Sequence, residues 1–156
     1  MDDVRVTDTS EIERVYREVR ERLWWALFAY TGDREMASDA ASEAFARALA
    51  APGTIRDPAG WVWNVGFRVA TKLLRATKET PTDREESYEI DDRAADVIRA
   101  LKQLPRRQRA VVILFYLEDR PALEIARLLE MSAATVSVHL HRARRKLRDL
   151  LGGDDA

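Results

Sequence analysis

The sequence predicts an all-α protein, two small helical domains joined by a flexible acidic linker. Three observations lead there. Apolar residues recur at helical spacing along almost every patterned stretch, and none alternates convincingly with the period of two that a half-buried strand requires. Asp, Ser and Pro stand where those stretches begin, the residues that cap or open helices. Near the middle the periodicity stops, and Glu85, Glu86, Glu89, Asp91 and Asp92 crowd a stretch that only Arg84 opposes. Such a segment buries little apolar surface and reads as a mobile connector.

The elements follow in order. A first helix is expected over about Glu11 to Tyr30, with Leu23, Leu27 and Tyr30 on one side and Trp24 and Phe28 beside them. Asp33 then suits an N-cap for a helix carrying Met36, Ala37, Ala40, Ala41, Ala44, Phe45, Ala48 and Leu49, whose many alanines let neighbouring helices come close. Pro52 and Gly53 mark a loop. Asp57 and Pro58 restart a helix that runs to about Lys78. Its apolar side carries Val62, Val65, Val69 and Leu73, with Trp63, Phe67, Ala70 and Leu74 further round. After the connector, helices are expected near Asp92 to Gln103, Pro105 to Glu118, Pro121 to Leu129 and Ala133 to Leu151. The domain reading is therefore a disordered N-terminus at 1–10, a first domain at 11–78, the acidic linker at 79–91, a second domain at 92–151 and a tail at 152–156.

Bulk composition bounds function. The chain has 156 residues, room for one medium domain or two small ones, and its 46% hydrophobic content argues against disorder throughout. A net charge of −1 gives no average attraction to nucleic acid, so any such role depends on local patches. With no cysteine there are no disulfides, thiol nucleophiles or thiolate ligands. No apolar run approaches the roughly 20 residues that span a bilayer. The first ten residues are acidic and polar, unlike a secretory signal, so a cytoplasmic protein is expected.

The stretch from Pro121 to Leu147 is the most informative. A short helix with Leu123, Ile125, Ala126 and Leu129 leads into a tight turn, and Ser132 caps a longer helix. On that helix Val136, Leu140, Ala143, Leu147 and Leu151 form one stripe that should pack inward. Thr135, His139, Arg142 and Lys146 form a second stripe facing away, with Arg144, Arg145 and Arg148 nearby. This is the layout of a helix-turn-helix, in which a cationic, hydroxyl-bearing face enters the major groove. A basic face on its own is more often merely solvated. The two histidines, His139 and His141, lie two apart and share no face, so metal binding is not expected. No nucleophile elbow, phosphate-binding glycine loop or His–carboxylate cluster suggests an enzyme, a cofactor or a small-molecule substrate.

The residues resemble the extracytoplasmic-function group of sigma-70-type factors. Leu104-Pro105-Arg106-Arg107-Gln108-Arg109-Ala110-Val111-Val112, Glu124-Ile125-Ala126 and Ser132 to Leu147 resemble that family's fourth conserved region. The resemblance implies that Ser132, Thr135, Ser137, His139, Arg142, Arg145 and Lys146 read the −35 promoter element. Tyr30 to Phe45 resembles the second region, where the counterparts of Asp39, Ser42 and Glu43 dock on a coiled coil of the polymerase's largest subunit. Trp61-Val62-Trp63-Asn64-Val65 resembles the start of the helix that captures the melted −10 element. Asn64, Arg68, Lys72 and Arg75 share a face there and could track a single strand's phosphates, with Trp61 placed to stack and Trp63 in phase with the core. The loop from Ala51 to Pro58 corresponds to the family's flipped-base pocket. Core RNA polymerase (coiled coil and flap), promoter DNA and an anti-sigma factor are the implied partners, and the linker is implied to thread the polymerase's channels.

Some positions depart from the family pattern. Ser42 replaces a usual glutamine, Arg68 and Lys72 replace asparagine and aspartate, and Ser137, Val138 and His139 replace a common Lys-Ser-Arg set. Glu130 stands where glycine is common, at a turn position that would be strained if left-handed. The preferred promoter should be correspondingly unusual. The second half alone leaves open a helix-turn-helix regulator that binds DNA without polymerase; the helix carrying Asp39 argues for the sigma factor.

Overall fold

The computed structural model describes residues 9–51, 55–77 and 91–152, and among these every regular element is helical. The expected linker apart from Asp91, most of the expected N-terminal segment and the tip of the Ala51–Pro58 loop lie outside the described residues. Three helices make the first half: α1 (Thr9–Thr31), α2 (Arg34–Ala50) and α3 (Pro58–Thr77). Four make the second: α4 (Asp92–Lys102), α5 (Arg106–Val112), α6 (Ala122–Leu128) and α7 (Ala133–Leu150).

Local chemistry sets the ends. Helix α1 starts two residues before the expected point, so Thr9 and Ser10 are helical and not part of an N-terminal tail. It stops at Gly32, whose φ of +69° favours glycine and whose amide returns to the Phe28 carbonyl at 2.7 Å. A Cβ at Gly32 would also lie 2.0 Å from Cε of Lys102, so any other residue here would make the Lys102 side chain swing away. The Asp33 carboxylate accepts from the Met36 amide at 3.0 Å and caps α2. Asp91 caps α4 by accepting from the Arg93 amide at 2.7 Å. Pro58 opens α3 as its first residue.

The three helices of the first half pack around Leu23, Leu27, Phe28, Val62, Trp63 and Phe67, all nearly sealed from solvent. Each buried side chain of this size stabilises by about 1.5–3 kcal/mol. The small face of α2, Ala37, Ala40, Ala41, Ala44 and Ala48, is buried and lets it lie close to both neighbours. Gly66 does the same where α3 crosses α1: a Cβ there would come within 3.3 Å of Leu23. Trp63 is 1% exposed and belongs to the core, as its phase implied.

In the second half Val136, Leu140 and Ala143 of α7 are buried against α5 and α6. The inward stripe ends sooner than its spacing suggested. Leu147 is only partly buried and Leu151 is 50% exposed, because α7 runs on beyond the elements that cover it. The helix expected from Pro105 to Glu118 is α-helical only to Val112; Ile113–Leu117 widens into a π-helical turn. The apolar run Val111–Leu117 is too continuous for periodicity to reveal that change.

The halves touch. Helix α1 lies against α4, α5 and the π turn, and α3 lies against α6. At the centre of the first contact Arg109 donates to the carbonyls of Leu101 at 2.9 Å, Leu104 at 3.0 Å and Lys102 at 3.3 Å, and across the boundary to Tyr30 at 2.6 Å. Replacing Arg109 with Met should therefore strand the buried Tyr30 and Leu104 carbonyls and lower unfolding stability by about 2–4 kcal/mol. A urea melt of the full chain tests this; an unchanged midpoint would contradict the role given to the guanidinium.

Candidate nucleic-acid interface

The helix-turn-helix forms as its residues imply. Ser132 accepts from the Thr135 amide at 3.0 Å, and the two hydroxyls share a hydrogen bond of 2.8 Å. That cap fixes the start of α7, and the buried face fixes its roll. Ser137, Arg142 and Arg145 then project into solvent. Two neighbouring cations do different work. Lys146 reaches the Gln103 carbonyl at 2.7 Å and ties α7 to the end of α4. Arg144 bonds the Tyr116 hydroxyl and lies 5.5 Å from the Phe115 and Tyr116 ring centres, bracing the π turn.

On α3 the expected polar stripe exists, since Asn64, Arg68, Lys72 and Arg75 all line one cleft. It does not simply face solvent. The Asn64 amide donates to the Leu128 carbonyl at 2.6 Å, and Arg68 pairs with Glu130 at 2.6 Å. Both partners belong to the turn region of the helix-turn-helix, and His139 lines the same cleft. Trp61 is partly buried against the core, while Lys72 and Arg75 are exposed.

Asp39, Ser42 and Glu43 are exposed on α2, and Glu43 holds Arg47 at 2.9 Å. Beside them Tyr16, Trp24 and Phe45 line a shallow groove that includes Ser42. The Trp24 indole donates to Ser38 at 2.9 Å, which fixes α1 beneath this surface.

Sequence reasoning missed Arg109, Arg120 and Arg22. Arg120 lies 5.0 Å from the Trp63 ring centre, and Arg22 pairs at 2.6 Å with Glu118, whose side chain is 7% exposed. All three bridge the halves. A single charged residue in a charged stretch carries no periodic signal for such a partner. The opposite signs of Arg68 and Glu130, two departures noticed separately, were the one available hint.

Relatives fix the family. The family profile for sigma-70 region 4 matches residues 94–147. The ECF RNA polymerase sigma factor SigM of Mycobacterium tuberculosis is 33% identical over 155 residues, covering 93% of this chain and 79% of that one. The chain belongs to the ECF RNA polymerase sigma factors. The sigma-E factor of Streptomyces coelicolor is 31% identical, with 95% of this sigma factor and 90% of that one covered. Among solved structures, the sigma factor RpoE of Bartonella quintana, in complex with the anti-sigma factor NepR, superposes with a TM-score of 0.75 at 16% identity. That likeness covers 94% of this sigma factor and 99% of that chain. CnrH, in complex with the cytosolic domain of CnrY, gives 0.73 at 21%, covering 95% and 92%. Both share the fold across the two halves. No helix of the described residues is long and apolar enough to cross a membrane.

His139 gives a measurable handle on the second half of this sigma factor. Its Nδ1 is shut off from solvent without a hydrogen-bond partner among the described residues. Burial, then the nearby Arg107 and Arg142 charges, hold its pKa below the ordinary 6.5. The folded chain therefore binds fewer protons here than the unfolded one. The associated stability is complete above 6.5 and is lost as pH falls through the folded value. An NMR titration of the imidazole should find a midpoint below 6.5; a midpoint at or above it would refute this placement.

Proposed function

We propose that this sigma factor binds core RNA polymerase and directs promoter-specific initiation, α7 reading the −35 element and α3 the melted −10 element. The observation that carries the reading is α7 itself. A capped helix is held by one buried stripe and presents Ser137, Arg142 and Arg145 outward, within the span that matches sigma-70 region 4. A helix so placed has its side chains available for base edges and phosphates.

Other roles follow from chemistry. Ser132, Thr135 and His139 lie toward the start of α7, and Lys146 lies on its later turns; all join Ser137, Arg142 and Arg145 as candidate −35 contacts. Asn64, Arg68, Lys72 and Arg75 offer donors to a strand's phosphates, with Trp61 as a stacking surface. Asp39, Ser42 and Glu43 supply the polymerase-docking patch, where exposed carboxylates one helical turn apart suit a basic partner. The protein works in the cytoplasm, without catalytic chemistry, a cofactor or a small-molecule substrate of its own. Two relatives of the same fold were solved with protein antagonists or partners, which supports an anti-sigma factor for this chain as well. A regulator that acts without polymerase is not favoured, since relatives that match across both halves are sigma factors.

The direct test mixes the purified chain with core polymerase and follows transcription from linear promoter DNA. Co-elution and a defined transcript are expected; failure of either defeats the proposal. Asp39→Arg should weaken core binding by about tenfold or more, given the cost of like charge at a docking patch. Arg75→Ala should lower the salt slope of holoenzyme–promoter binding by about 0.7, the share of one single-strand phosphate contact. An unchanged slope would remove Arg75 from the strand-binding face.

A further inference from the structure

The later half of α7 is not held by apolar packing. Of its residues only Val136, Leu140 and Ala143 are buried; beyond them Leu147 is partly covered and Leu150 is exposed. Arg145 lies past the last of the buried three. We propose that Arg144 is a positioning residue for −35 recognition: its guanidinium, seated on Phe115 and Tyr116, holds the far end of α7 at the angle from which Arg142 and Arg145 reach DNA. This inference rests on the reading of α7 as the −35 helix and adds the residue that aims it.

Three observations carry it. First, the seat is built. Arg144 donates from Nε to the Tyr116 hydroxyl, and its guanidinium carbon lies 5.5 Å from both ring centres. The two rings meet edge to face, centres 5.0 Å and planes 79° apart, and so form a corner. Neighbouring residues can share one side because Ile113–Leu117 is a π turn, which takes more residues per turn and spreads them through a smaller angle. The foot of the seat is fixed. Ile113 and Leu114 are sealed from solvent, and the Leu114 carbonyl accepts from the Arg120 amide at 3.0 Å.

Second, the contact has a counterpart on the opposite flank. Lys146 reaches the Gln103 carbonyl at 2.7 Å. At about 3.6 residues per turn, Arg144 and Lys146 stand roughly 200° apart around the helix, one on each side of the buried stripe. Arg145, between them, points away from the stripe and is exposed. Two stays on opposite flanks oppose a swing in either direction. An ammonium has three donors, so Lys146 can keep this bond and still meet DNA.

Third, the lever is long enough to matter. Arg145 lies about 7.5 Å along the axis from Leu140, and a swing of about 15° there moves it by roughly 2 Å. Hydrogen bonds to base edges tolerate only about 0.5 Å. A swing too small to unpack the buried stripe is therefore large enough to lose the reading. A cation on an exposed ring shifts an equilibrium by about two- to fivefold, which is enough to bias that angle.

The test uses holoenzyme reconstituted from the full-length chain and core polymerase, on linear promoter fragments with a randomised −35 element. Discrimination is the affinity ratio between the set that the parent selects and the unselected pool. Arg144→Met should lower discrimination by about threefold or more and leave the salt slope of binding unchanged. A lost phosphate contact would instead take about 0.9 from that slope. Tyr116→Phe, which keeps the ring and removes the hydroxyl, should lower discrimination by about two- to threefold, and the double variant no further than Arg144→Met alone. A merely less stable chain loses both affinities together and keeps the ratio. A slope reduced by about 0.9 with Tyr116→Phe silent makes Arg144 a phosphate contact and overturns the proposal, as does parental discrimination in Arg144→Met. A parent that selects no −35 sequence defeats the reading of α7 itself. A parent that selects one while the variants keep it defeats only the aiming role.

Discussion

Arg109 places a cation inside the protein and satisfies it with carbonyl oxygens and with the Tyr30 ring, whose centre lies 5.7 Å from the guanidinium. Lys102 lies at the end of α4 and Leu104 just beyond, where a helix leaves carbonyls without amide partners; the Leu101 carbonyl accepts from the Leu104 amide as well as from Arg109. Tyr30 lies in the last turn of α1, whose carbonyls have the same need. One guanidinium thus completes two helix ends from different halves, each presenting the negative end of a helix dipole. Burial pulls its pKa down, yet arginine stays charged through any physiological range. Lysine could not substitute. Its three donors lack the planar fork that meets several carbonyls at once, and its ammonium loses more hydration on burial. Burying such a charge is weak evidence of stabilisation on its own. What it specifies is geometry: α4, α5 and the end of α1 meet in one register, and Lys102 can lie over Gly32.

That register decides which surfaces are free. Because α1 is fixed against α5, α3 faces α6 and the helix-turn-helix turn, while α2 stays outside with Asp39, Ser42 and Glu43 exposed. The acids of α2 therefore stay exposed with the halves in contact, whereas the polar stripe of α3 is partly covered. The uncovered part of that stripe is Lys72 and Arg75. A near-neutral chain can still present strong local fields, because its cations gather in the cleft and on α7 and its acids lie largely elsewhere.

Much of this was legible from residues alone, and the pattern of misses has a physical cause. Asp33 and Ser132 were read as helix caps because their short side chains bond nearby amides, a purely local event. The buried face of α2 and the core phase of Trp63 were readable because helical periodicity reports which side of one helix is apolar. Glu130 was readable as strained because a tight turn demands a left-handed residue. Periodicity says nothing about two polar surfaces that meet. The α3 stripe looked solvent-facing because its residues are hydrophilic, and its opposing surface is hydrophilic too. Arg109 sits between Arg106 and Leu114 in a segment whose charges look alike in sequence, and only tertiary packing singles it out. Leu151 failed for the complementary reason: its spacing continues the stripe, but the elements that bury the stripe end before it.

The boundary between α3 and α6 differs in kind from the boundary around Arg109. At Arg109 the contact is buried, so parting the halves there exposes carbonyls that only water can satisfy and opens apolar surface beside them. At Asn64 and Arg68 the contact is polar and half open to solvent, so each donor that loses a carbonyl or carboxylate can gain a phosphate oxygen of similar geometry. Exchange in kind has a small net free energy, and small differences then govern occupancy.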